Sequence, residues 1–307
     1  MKRDLKWIVV ICLAGLLGFI GLSTLIAGCG ERQESTLYYY GPSWTRAGNV
    51  LVIKGLQTVR KDAIGTQLGS AYTETLITMD AAGANETVLL DVTDHPPYLM
   101  SAAPAGDYLV YLDGLHGVLF SKAVIVNIAA GGHTGLNKVE LSFDPGIRAV
   151  DWSNDGRLVY CTTQEVRIIK IDGTGDTLVT AEANLSFVAW KNWARIAFVH
   201  TSGAETLLSL IQADGTGRID LPAVGSVDKP QIDPNNNNIV WGLSGASYCS
   251  TNVSALAPAT AETFANCKAD LPRLNLAGDK VVYGRTGEQT GIYLLDLTAK
   301  TETKIKN

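Results

Sequence analysis

The sequence is short of what usually marks a reaction centre. Its four histidines, His95, His116, His133 and His200, fall without the spacing of metal ligands. It has no Cys-x-x-Cys pair, which removes the common frame of a zinc site. A hydrolase nucleophile elbow, Gly-x-Ser-x-Gly, is also missing; Gly242-Leu243-Ser244-Gly245 falls one position short of it. Asp233-Pro234-Asn235-Asn236-Asn237-Asn238 lacks the ligand rhythm of a calcium loop and reads as a turn. Nothing in the sequence requires a metal or a cofactor. Charge is scarce too, at 18% of residues against 46% hydrophobic. No run of Lys and Arg interleaves with aromatics, so nucleic acid is excluded as a partner.

Long amphipathic patterns are absent after residue 30. What is present is abundant Gly with short clusters of Val, Ile, Leu and Thr, a composition that predicts an all-β domain.

The first thirty residues are different. Lys2, Arg3 and Lys6 precede an uncharged run from Trp7 to Cys29, long enough (~20 residues) to cross a bilayer as a helix. The run ends Leu25-Ile26-Ala27-Gly28-Cys29 and is followed by polar Gly30-Glu31-Arg32-Gln33-Glu34-Ser35. This resembles the lipobox of bacterial lipoproteins, which implies cleavage after residue 28 and covalent lipid on Cys29. The alternative is an uncleaved anchor helix; both tether the chain to a membrane outside the cytoplasm. Gly30 in place of Asp resembles lipoproteins sent to an outer membrane. The segments expected are a signal peptide at 1–28, a lipidated cysteine and tether at 29–36, and one domain at 37–307. Removing residues 1–28 leaves a formal charge near −7, an acidic chain with no affinity of its own for anionic lipid. In that compartment Cys249 and Cys267 are expected to form a disulfide, and Cys161 reads as a buried apolar residue.

The domain is repetitive. GPSWTRAGNVLVI (41–53), LMSAAPAGDYLVY (99–111), AVDWSNDGRLVYC (149–161), FVAWKNWARIAFV (187–199), PQIDPNNNNIVWG (230–242) and RLNLAGDKVVYG (273–284) share a turn between two apolar runs. Trp44, Ala102, Trp152, Trp190, Ile232 and Leu274 are equivalent, at spacings of 58, 50, 38, 42 and 42. Second pairs of strands follow, several around turns such as Asp172-Gly173-Thr174-Gly175 and Asp214-Gly215-Thr216-Gly217. Four strands in each of six repeats predict a six-bladed β-propeller with four-stranded antiparallel blades, preceded by the N-terminal hydrophobic helix. Residues 55–74 and 113–122 are expected to be extra loops.

Trp152-Ser153-Asn154-Asp155-Gly156, an apolar strand and then Ile171-Asp172-Gly173-Thr174-Gly175 resemble the repeats of TolB-type propellers. Repeats two, five and six depart from that pattern. The resemblance implies a binding scaffold in the cell envelope. The expected contact surface is a funnel rim of loops before the inner strands, carrying Asp94, His95, Asp144, Asn184, Asp228, Lys229 and Asp270. Asp151, on an inner strand, is the further candidate. The partner expected is an envelope protein or peptide, with no catalysis. A glycan-binding or glycan-cleaving funnel and a purely structural lipoprotein are the alternatives.

Overall fold

The computed structural model describes residues 31–93, 97–104, 108–113, 120–128, 138–192, 195–203, 205–220, 227–232, 239–244, 247–252, 259–264, 270–285 and 290–307. The signal segment with Cys29, and also Asp94, His95 and Cys267, lie outside them. Among the described residues no helix is long and apolar enough to cross a membrane.

The chain forms strands, and each group of four consecutive strands makes one sheet. The first sheet holds β1 (Arg32–Trp44), β2 (Val50–Lys61), β3 (Gln67–Met79) and β4 (Thr87–Asp91). The second holds β5 (Pro97–Ala102), β6 (Tyr108–Asp113), β7 (Phe120–Asn127) and β8 (Lys138–Ile147). The third holds β9 (Ala149–Trp152), β10 (Arg157–Cys161), β11 (Glu165–Lys170) and β12 (Thr177–Ala181). The fourth holds β13 (Leu185–Asn192), β14 (Arg195–Ser202), β15 (Glu205–Gln212) and β16 (Ile219–Asp220). The fifth holds β17 (Val227–Ile232), β18 (Ile239–Ser244), β19 (Ser247–Asn252) and β20 (Ala259–Phe264). The sixth holds β21 (Asp270–Leu274), β22 (Lys280–Arg285), β23 (Gly291–Asp296) and β24 (Thr301–Lys306).

Two units divide the chain, residues 1–37 with 55–73, and residues 38–54 with 74–307. In the larger unit, β9 packs on β5, β13 on β9, β17 on β13 and β21 on β17. The first strands of successive sheets therefore line up as an inner wall. Apolar side chains fill the wedges between sheets. Leu51, Ile53 and Leu76 of the first sheet cluster with Met100, Tyr111 and Val124 of the second. Tyr39, Trp44 and Val52 of the first cluster with Val282 and Ile292 of the sixth. This is an all-β propeller with four-stranded antiparallel blades.

The repeats explain the packing in detail. Trp44, Ala102, Trp152, Trp190, Ile232 and Leu274, the equivalent positions, are all buried. The indole N–H of Trp152 donates to Ser101 O at 2.8 Å, and that of Trp44 to Arg273 O at 2.9 Å. Each of these tryptophans thus reaches across a sheet boundary. The repeated hairpin glycine has a second task beyond its positive φ. A Cβ on Gly215 would stand 2.6 Å from Val179 O of the third sheet, and one on Gly83 2.2 Å from Ile305 O of the sixth. Both have φ near 80° (83° and 78°), open to glycine at no steric cost. The turn of one sheet rests on the outermost strand of its neighbour, and only a residue without a side chain allows that approach.

Two expectations change. Residues 32–36, expected as tether, belong to β1, and of 55–74, expected as a loop, 55–61 and 67–74 are the extended halves of β2 and β3. In the smaller unit, Ser35 bonds Thr58 at 3.3 Å, Lys61 bonds Glu34 at 2.6 Å and Gln57 bonds Tyr72 at 2.8 Å. Backbone pairing carries these strands on where the side chains are too polar and Gly-broken to announce a strand. Of the second expected loop, 114–119 lies outside the described residues, and β7 begins at Phe120.

Candidate functional site

The residue just before each wedge position lies on a first strand. These residues are Ser43, Ser101, Asp151, Ala189, Gln231 and Arg273, and all but Ala189 are polar. Every one of the six is buried. In β5, β17 and β21 the pairing slips between Tyr98 and Ser101, Asp228 and Gln231, and Asp270 and Arg273. A bulge of this kind re-aims the side chain that follows it. Leu99, inside the first of these slips, is buried with φ of 50°, an uncommon conformation for a leucine.

Asp151 is held from two sides. Ser101 Oγ donates to its Oδ1, and the backbone N–H of Trp190 donates to its Oδ2 at 2.9 Å. Second, third and fourth sheets meet on one carboxylate. Arg273 belongs to the sixth sheet, three places further round than the third. Burial pulls its guanidinium below the ordinary arginine range, and the charge of Asp151 opposes that shift. The charge of Asp151 on the third sheet is thus felt by Arg273 on the sixth.

The centre is unevenly satisfied. Gln231 donates its amide to Pro230 O at 2.8 Å, while its Oε1 has no partner among the described residues. Arg273 Nε, Nη1 and Nη2 are buried and have none either. A guanidinium offers five N–H groups in a planar fork that matches a carboxylate bidentately. Leaving such a charge buried and unpaired is costly. The chemistry on offer is therefore recognition of a planar anion, with Gln231 Oε1 ready to accept from a neighbouring N–H or O–H.

The turn that follows Asp151 is structural. Ser153 N–H donates to Arg157 O at 2.9 Å, Arg157 N–H donates to Ser153 Oγ at 2.9 Å, and Asp155 pairs with Arg157 at 2.6 Å. Gly156 supplies φ of 82°. A second cluster lies in the fourth sheet. His200 Nε2 is 3.1 Å from Ser209 Oγ, and His200 Nδ1 is 3.4 Å from Glu182. The order serine–histidine–carboxylate is that of a nucleophile relay, but Ser209 is fully buried and donates to Asp220 at 2.6 Å. Arg218 also bonds Asp220 (2.8 Å) and Glu182, so the group clamps three strands together. The sequence shows His200 only as one of four histidines without metal-ligand spacing. No group of three or more His, Cys, Asp or Glu converges as for a metal among the described residues.

The expected rim residues fare differently. Asp151 is buried on β9, held by Ser101 and the backbone of Trp190. Asp144 is exposed within β8, not in a loop. Asn184 is an exposed turn residue with φ of 58°, its carbonyl accepting from Thr201 N–H at 3.1 Å. Asp228 and Lys229 lie within β17 and Asp270 opens β21, because backbone pairing begins before the apolar runs do. Their side chains, and that of Cys249 in β19, are outside the described part of the structure. Ser101, Gln231 and Arg273 went unread as site residues. Their one sequence signal is a polar residue at a constant offset from the wedge position.

No protein-family profile matches the sequence. No curated protein matches it either. Solved structures do match in fold. TolB from Acinetobacter baumannii is 10% identical, with a TM-score of 0.60 over 92% of this chain and 81% of that one. A chain of a nidogen/laminin complex is 9% identical, with a TM-score of 0.57 over 88% and 92%. A puromycin-hydrolyzing peptidase of Mycobacterium tuberculosis is 12% identical, with a TM-score of 0.53 over 88% of this chain and 53% of that one. At such identities the likeness establishes the fold alone: this chain has the all-β propeller fold.

Proposed function

We propose that the protein is a membrane-tethered lipoprotein of the cell envelope whose propeller is a non-catalytic scaffold for a protein or peptide. In this reading the six sheets are six blades of one closed ring, Cys29 carries lipid, and the ligand presents a carboxylate to the centre of the first-strand wall. The observation that carries it is the buried guanidinium of Arg273, without a hydrogen-bond partner among the described residues, together with the free Oε1 of Gln231 on the preceding sheet. TolB, a structural neighbour, has the same fold and lends the reading its precedent only at that level.

Crosslinking in intact cells followed by capture of the protein tests the proposal. Arg273→Lys keeps the charge but loses the planar fork, so it leaves the fold intact and weakens capture at least tenfold. Charge reversal at Asp144 leaves capture unchanged. Unaltered capture by Arg273→Lys refutes the central site, and an acidic oligosaccharide as the captured species favours the glycan reading. Palmitate labelling that survives Cys29→Ser refutes the lipid anchor.

A further inference from the structure

Residues 31–37 and 55–73 form a unit of their own, mostly polar but with large apolar side chains turned to solvent. Leu37, Leu56, Ile64, Leu68 and Tyr72 are all exposed. Gln57 and Tyr72 are bonded and share one face, so Leu56, the neighbour of Gln57 along the strand, points to the other. A β ribbon with neither face on a core is marginal in water. Its charges cancel, with Arg32, Arg60 and Lys61 against Glu31, Glu34 and Asp62, whereas the chain beyond residue 28 is acidic.

Register decides which end of the ribbon is which. The Glu34–Lys61 pair joins the start of β1 to the end of β2. Arg32 therefore lies at the same end as the turn after β2. That turn is closed by Asp62 N–H to Thr66 O at 2.9 Å and Gly65 N–H to Asp62 O at 3.1 Å. Asp62 Oδ1 accepts from the N–H groups of Ile64 (3.0 Å) and Thr66 (2.8 Å), which leaves the Ile64 side chain 88% exposed. Cys29 precedes Arg32 by three residues, a reach of at most about 10 Å.

We infer that this turn is a membrane-docking tip, with Ile64 seated in the lipid interface beside the acylated Cys29. The inference rests on the lipid-anchor reading above. An acyl chain on Cys29 brings the bilayer within about 10 Å of Arg32, and the ribbon end it meets is uncharged on balance and apolar at its crest. The acidic remainder of the chain is repelled by anionic lipid and the ribbon is not.

The test uses the mature chain in vesicles of phosphatidylethanolamine and phosphatidylglycerol with brominated acyl chains. A tryptophan is introduced by Ile64→Trp, or by Leu178→Trp at another exposed position (47%) as a control. The added emission of Ile64→Trp is expected to fall at least twofold and shift to the blue, with Leu178→Trp unaffected. Equal emission from both overturns the inference. So does an Ile64→Trp signal shielded from acrylamide but untouched by bromine, which assigns the tip to a protein partner. The mass of the N-terminal peptide from the same sample separates the two readings. Without lipid on Cys29 both fall; with lipid and no quenching, only the docking tip does.

Discussion

The indole of Trp152 donates its N–H to the carbonyl of Ser101 across the boundary between the third and second sheets, at 2.8 Å. Trp152→Phe removes that hydrogen bond and part of the ring volume, and is expected to cost about 2–3 kcal/mol in urea denaturation. Trp190 is the contrast, because its buried Nε1 has no partner among the described residues. Trp190→Phe is expected to cost at least 1 kcal/mol less, roughly the worth of one hydrogen bond. Equal losses would show that the tryptophans act by volume alone.

Gly215 and Gly83 carry the backbone contact between neighbouring sheets. Gly215→Ala places a Cβ 2.6 Å from Val179 O at φ of 83°. It should destabilise by about 2–4 kcal/mol, measured as a lowered urea midpoint with unchanged slope. Gly156 has a similar φ of 82° but nothing within 4 Å of its Cβ. Gly156→Ala is expected to cost only its backbone strain, about 1 kcal/mol.

Asp151 and Arg273 oppose each other's charge in a buried centre. Asp151→Asn removes the charge that favours the Arg273 cation and is expected to destabilise, whereas Arg273→Met removes a buried charge without a hydrogen-bond partner and is expected to cost less. The double variant should lose less than the sum of the two by at least 1 kcal/mol. Strict additivity in the cycle would remove the argument that Arg273 feels the charge of Asp151.

Glu86 links the first and sixth sheets. It accepts from Lys306 at 2.6 Å, from Tyr39 at 2.9 Å and from Lys54. Burial raises its pKa, but Lys306, Lys54 and Tyr39 outweigh burial and set it at about 2. A carboxylate depressed in the folded state adds stability above its ordinary pKa, and that stability is lost as pH falls through the folded value. The loss is expected between about pH 4.5 and pH 2. For a group about a quarter exposed its size is on the order of 1 kcal/mol. Glu86→Gln should flatten the acid limb of the stability curve in that window and leave its neutral slope alone.

Cys161 is fully buried in β10, and burial pushes its thiol up to about 12. Iodoacetamide at pH 8 should leave the peptide containing Cys161 unmodified in the native protein and label it fully in urea, read by mass spectrometry. Labelling of the native chain at a rate near that of a free thiol would contradict the burial.

Local chemistry carried much of the fold. Asn154-Asp155-Gly156 is a turn in sequence and in space, since Asp, Asn and Gly favour turns through their own backbone geometry. Cys161 and the wedge tryptophans are buried as their apolar neighbours imply. Where pairing extends beyond the apolar pattern, in residues 55–61 and 67–73, sequence reading fails. A strand continued by hydrogen bonds to its neighbour needs no hydrophobic alternation of its own.

What the sequence determined by itself was the repeat: turns such as Asn154-Asp155-Gly156, the strands that flank them and the buried residue at each equivalent position, all set by interactions within a few residues. Only the tertiary structure decided which polar residues share a centre. Ser101, Asp151, Gln231 and Arg273 lie on separate repeats and differ in residue type, so no local pattern joins them. The packing of sheet on sheet brings Ser101 Oγ onto Asp151 and lets Arg273 feel its charge. The same holds for Gly215, a turn residue in sequence and a spacer in the fold, since the carbonyl that excludes a side chain there belongs to another sheet.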